Sequence, residues 1–282
     1  MPDIWELALI TVKFALYFSI FTAVGTVFTG LIFKLNDVRK FTAVFASIGL
    51  FTTLLSFSLQ GAALTGNLSG MTDINMLTLL WDIPASNAFK YRLVGLVILI
   101  SGIVMGRYGL ILSILGGIIA LWSFTRIGHV PNQKMLVLEI SLLAHLLAAA
   151  FWIGILMPLH RLSLNKETIQ QAADLGHNFG VIAAITMPIM ILIGVYMSYI
   201  LLGSFTSLIG SEYGRTLLIK ITLVAGLLAI AAANKLRFVP ALKRGDRMAL
   251  IHFNKSIKLE WAIFVLIFAS TATLTSIFAI PS

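Results

Sequence analysis

Residues Gly128–Leu159 read GHVPNQKMLVLEISLLAHLLAAAFWIGILMPL, and the fold class follows from how that run divides. Gly128, His129 and Pro131 form a turn, after which Met135–Leu159 is almost wholly apolar. At ~1.5 Å of rise per residue such a run is long enough to cross a ~30 Å hydrocarbon core. His145 stands about ten residues into it, or ~15 Å, near the middle of a membrane. A titratable ring at that depth is unfavourable unless something binds it or pairs with it. It is a metal ligand, a haem ligand or a proton relay, or else a neutral imidazole hydrogen-bonded across the bundle. Ser141, Ala149 and Trp152 share its helix face, and Ala148, Ala149 and Ala150 let a second helix come close.

The same kind of run recurs along the chain. Hydrophobic residues make up 59% and charged ones 11%, with a mean hydropathy of +0.99, where a soluble domain carries roughly 25% charged residues. Apolar stretches of spanning length lie at about Leu7–Phe33, Phe41–Leu64, Ala88–Gly106, Tyr108–Phe124, Met135–Leu159, Leu175–Leu202, Tyr213–Phe238 and Ile257–Phe278. The expected fold is therefore all-α: a polytopic integral membrane protein, a bundle of eight transmembrane helices in a single domain over residues 1–282. The third and fourth spans meet through Gly106-Arg107-Tyr108-Gly109 and should form a tight hairpin. No basic n-region or small-residue cleavage site accompanies the first span, so it is expected to be a retained helix.

The net charge of +9 raises the question of a nucleic-acid partner, but its distribution is a topology signal. The odd-numbered connections carry thirteen Lys and Arg residues, from Lys34 to Lys258; the other side carries five, Lys90, Arg92, Arg126, Lys134 and Arg215. The positive-inside rule then puts both termini outside the cytoplasm, with the His129 turn facing out. The basic connection Val239–Asn254 suits anionic lipid headgroups. The connection Thr65–Asn87 reads as a long external loop.

With no cysteine in the chain, disulfides, thiolate zinc and iron–sulfur clusters are excluded, and any metal is held by His, Met, carboxylate or backbone. His129 at the mouth, with Met135 close by, offers imidazole and thioether, a set that suits copper better than zinc. Met71 and Met76, flanking Asp73, would give an outer capture site. Met187, Met190 and Met197 fall on the sixth span beside Pro188, where Met is also a common filler of irregular packing. Glu260 is expected about a turn inside the cytoplasmic end of the last span, neutralised by Asn234, Lys235 or a proton. Lys220, placed at another depth, should not pair with it. Arg92 and Glu139 are expected to pair at the outer interface. His160, His177 and His252, at cytoplasmic helix ends, read as structural. No phosphate loop, HExxH, GxSxG or nucleophile–base arrangement occurs, so an enzyme is not expected.

These residues resemble the copper resistance protein D family of bacterial inner-membrane proteins. The likeness lies in Gly128-His129 followed by AHLLAAAFWIGILMPL, in YGRTLLIKITL with Lys220, in ANKLRFVPAL with Asn234 and Pro240, in NKSIKLE ending at Glu260, and in the Arg92 helix. It is strong from about residue 89 onward and weaker before; Ile155 and Val130 depart from the usual Gly and Ala. The resemblance implies eight membrane helices and copper moved across the bacterial inner membrane toward the cytoplasm. It also implies a partnership, in some relatives, with a periplasmic copper-binding protein of the CopC type. By position it implies copper handling by His129, His145 and Glu260, with Trp152 and Gly154 packed around them. The rival readings are a membrane redox protein with His145 ligating haem b, and a non-transporting membrane partner of a copper carrier.

Overall fold

The computed structural model describes residues 4–35, 38–83, 86–106, 109–127, 133, 135–202 and 205–276. Eleven α-helices occur among them: α1 (Ile4–Ile32), α2 (Val38–Thr65), α3 (Ile74–Asp82), α4 (Ser86–Val104), α5 (Gly109–Trp122), α6 (Leu136–Leu162), α7 (Ile169–Leu202), α8 (Phe205–Gly210), α9 (Glu212–Ala233), α10 (Val239–Lys243) and α11 (Arg247–Leu274). No strand occurs among the described residues. Eight helical stretches are long and apolar enough to cross a membrane: α1, α2, α4, α5 with its extension to Arg126, α6, α7 with its lead-in, α9 continued through α10, and α11. The protein is an all-α, multi-pass membrane protein. Successive spans run antiparallel, so the molecule has a Lys/Arg-poor end, where α1 begins, and a Lys/Arg-rich end, where α10 meets α11.

Small residues set how closely the spans pack. The α4–α5 hairpin turns at Gly106, whose φ of 77° is left-handed backbone that glycine adopts without strain. Its arms then touch backbone to backbone: a Cβ on Gly95 would lie 2.5 Å from the Ala120 nitrogen, and one on Gly102 2.5 Å from the Gly109 carbonyl oxygen. At the α1–α6 crossing a methyl on Gly25 would overlap the Ala150 carbonyl, and one on Gly154 the Gly25 carbonyl. Thr29 strengthens this crossing by donating to the Gly154 carbonyl at 3.3 Å. Such small-residue contacts let helices associate by dispersion where lipid removes the hydrophobic driving force. One apolar core, with Leu96, Trp152 and Phe253 at its centre, joins these helices to α7, α9 and α11.

Three features differ from what the sequence led us to expect. The connection after α2 is not a bare loop: Asn67 caps a 3-10 turn, Leu68–Met71, and Asp73 caps α3 by accepting from the Asn75 and Met76 amides. Second, α11 starts at Arg247, capped by Asp246, about ten residues before the apolar run, so Glu260 lies at mid-helix and not one turn from its end. Third, α9 passes into α10 through a π-helical turn, Asn234–Phe238, in which the Val239 amide reaches back five residues to the Asn234 carbonyl. Pro240, with no amide proton, follows at the start of α10. Asn234, whose carbonyl closes this wider turn, is buried in the core.

Candidate functional site

His145 and Glu260 lie along the seam where α6 faces α7 and α11. On α6, the His145 Nδ1 is 3.2 Å from the carbonyl oxygen of Met190 on α7. A carbonyl has no proton to give, so Nδ1–H donates and the lone pair of the neutral ring stays on Nε2. Metal-binding histidines are commonly held in this way, one ring nitrogen on an acceptor and the other toward the ion. Gly194 makes room for the ring: a Cβ there would come 3.5 Å from His145 Cε1. Lys220 on α9 is near enough for its charge to act on the imidazole.

One turn from Met190 toward the Lys/Arg-rich end, Met187 lines a cavity of about 210 Å³ together with Trp152, Pro188, Asn234, Lys235 and Glu260. Pro188 cannot donate to the carbonyl of Ala184 in the preceding turn, and both residues line the same space. Glu260, only 3% exposed, is held from two sides. The Trp152 indole Nε1 donates to its Oε2 at 2.9 Å, and the Asn234 amide Nδ2 to its Oε1 at 2.6 Å. Ser256 in turn donates to the Asn234 Oδ1, which fixes the amide's orientation. Each carboxylate oxygen thus has one fixed donor and a lone pair left over.

Trp152 is seven residues beyond His145 on the same face of α6, which puts the carboxylate ~10 Å deeper along the helix. His145, the Met190 carbonyl, Met187 and Glu260 therefore form one series through the bundle. Asn234, one of the two residues expected beside Glu260, is there. The Trp152 indole was not anticipated; its signal was its place on the His145 face, and reading it as packing alone hid its polar edge.

The other expected ligands are spread apart. His129 lies outside the described residues. Met135 precedes α6 and is exposed, Met71 closes the 3-10 turn and Met76 opens α3, both half-buried. Met190 and Met197 are buried, Met197 against Leu138 rather than in the cavity. Arg92 and Glu139 do not pair. Glu139 accepts from Arg126 at 3.1–3.2 Å, while Arg92 donates through Nε to Ser123 at 3.1 Å and lies over the Phe124 ring. His160 hydrogen-bonds Asn254, His252 stacks on Phe238, and His177 is exposed. None of these three lies at the level of His145: His177, for example, is thirteen residues, or ~20 Å, from Met190 along α7. A pair of axial histidines for haem b is thus not assembled among the described residues. Nor do three residues of His, Asp or Glu come together there.

A bundle of apolar spans with an imidazole and a carboxylate held at two levels of one inner seam defines the class, a multi-pass membrane protein with polar groups inside its helix bundle. Residues 1–134 match the family model for the N-terminal domain of copper resistance protein D-like proteins, and residues 173–274 match that for copper resistance protein D. The chain belongs to the copper resistance protein D family and is a copper resistance membrane protein. The N-terminal match extends the likeness over the part of the chain where the motifs were weaker. The helix bearing His145 falls between the two matched ranges. No curated protein and no solved structure matches the chain significantly.

Proposed function

We propose that this protein conducts copper across the bacterial inner membrane, inward from the Lys/Arg-poor end, with His145 as the midplane ligand. The observation that carries the reading is the hydrogen bond from His145 Nδ1 to the Met190 carbonyl, which fixes the tautomer whose free lone pair binds a metal. Copper passes from the outer mouth, with His129, Met135 and the Met71–Met76 segment as capture groups, to His145. It moves on past Met190 and Met187 into the cavity and leaves by Glu260, which lines that space. Thioether, imidazole and a carboxylate already engaged by two donors bind less tightly than thiolates, which suits a conduit that must release its ion. The Lys/Arg distribution supports external termini and an outward-facing Lys/Arg-poor end. A periplasmic copper-binding protein of the CopC type fits as the source of the ion at the outer mouth.

The test is copper accumulation in cells producing wild type or His145→Ala at equal membrane levels. The substitution is expected to lower copper-dependent accumulation at least tenfold, to the level of cells without the protein. Wild-type accumulation in that variant, or a Soret band in the purified wild type, overturns the reading.

A further inference from the structure

A second cavity, of about 240 Å³, opens at the Lys/Arg-poor end between α1, α2, α4 and the end of α11, away from the His145–Glu260 seam. Lys13, Tyr17, Ser56, Gln60, Arg92 and Thr275 give it a polar lining, and no carboxylate is among its described lining residues. Its cations are incompletely satisfied. Arg92 is 7% exposed and its Nε is taken by Ser123, but its Nη2 is buried with no acceptor among the described residues. Lys13 donates to the Thr275 carbonyl at 3.2 Å and to the Ser276 hydroxyl at 2.9 Å, leaving the third proton of its ammonium for another acceptor. The two cations are close enough to act on each other electrostatically.

Two like charges at a half-dry site, one with an orphaned donor, are unfavourable on their own and become favourable around an anion. The Phe124 ring under the guanidinium, 4.6 Å from its carbon, holds the fork in place but accepts no N–H bond at Nη2. A guanidinium fork beside an ammonium matches an anion with several oxygens and close to two charges, the description of a phosphate group. The space is below the range of drug-sized pockets and fits a small head rather than a large ligand. Its lining comes from the halves of α1, α2 and α4 nearer the Lys/Arg-poor end and from the end of α11.

We propose that the Lys13–Arg92 pocket binds a phosphate-bearing group, supplied by inorganic phosphate or by a phospholipid headgroup. The site is separate from the copper route and stands whether or not that route is correct.

The test uses the purified full chain and two variants, Lys13→Gln and Arg92→Lys, the second keeping the charge but losing the fork. Inorganic phosphate is titrated calorimetrically into delipidated protein at fixed ionic strength, and phospholipid retained before delipidation is read by native mass spectrometry. Saturable phosphate binding that weakens roughly ten- to hundredfold in both variants, the scale of one charge-assisted hydrogen bond, supports the site with free phosphate as its source. No phosphate binding, but a retained phosphatidylglycerol lost from both variants, supports it with lipid as the source. Should Arg92→Lys lower the yield of folded protein, Lys13→Gln, at a half-buried position, carries the test. Neither ligand on the wild type, or equal binding by wild type and variants, overturns the proposal.

Discussion

The two walls of the bundle use glycine in opposite ways. On the α1–α6 and α4–α5 side, Gly25, Gly154, Gly95 and Gly102 bring backbones into contact, and half of the most apolar stretch of the fourth span is buried. On the α7–α9 side glycine makes room for side chains. Gly194 borders the His145 ring, Gly180 borders the Lys235 stem, and Gly226 meets nothing within 4 Å. Burial falls to 22% and 6% in the corresponding stretches of the sixth and seventh spans. The cavity beside Glu260 lies on this second side. A membrane bundle can thus be dense where it needs a frame and open where it needs space, with the same residue type serving both.

The largest expected effect comes from destroying the dense wall. Gly154→Leu drives a branched side chain into the Gly25 carbonyl, which rigid backbone on both sides cannot relieve, so loss of nearly all folded protein on size-exclusion chromatography is expected. Equal yield with wild type would mean that the two walls do not differ as described. A smaller effect is expected from Trp152→Phe on the open side. It keeps the ring but leaves Glu260 Oε2 without its donor, costing about 1–3 kcal/mol, read as a lower midpoint in denaturation by detergent. An unchanged midpoint would mean that water replaces the indole, making the cavity wetter than its apolar lining implies. The smallest effect belongs to neither wall. Glu139→Gln removes an ion pair whose arginine is one-third exposed, so a loss of at most about 1 kcal/mol, weaker still in high salt, is expected in the same assay.

Much of the architecture was legible in the sequence because lipid forces it. Eight apolar runs and the Gly106 hairpin follow from length and hydropathy alone. Helix ends were less so, because the first turns of α7 and α11 are amphipathic and hydropathy trims them away. The Asp73 and Asp246 caps were readable signals for α3 and α11. Pairings were least legible. Two residues at the same depth meet only if their helices are turned toward each other, and a linear sequence gives depth far better than rotation. Arg92 and Glu139 were expected at one depth, yet Arg126, thirteen residues before Glu139, takes the carboxylate and Arg92 bonds Ser123 instead. The Asn234–Glu260 contact was legible because both residues were placed near the Lys/Arg-rich end of adjoining spans, but the π-helical turn that begins at Asn234 was not, since no periodicity announces it.

The contact between Gly25 and Gly154 has a mechanical side. A helix locked main chain to main chain cannot slide along its neighbour, so α6 is a fixed post and His145 stands on it. Whatever widening the seam undergoes falls to α7 and α9, and with α7 travels the carbonyl of Met190 that orients the imidazole. The imidazole thus stands on the locked helix, while the acceptor that orients it belongs to the other wall.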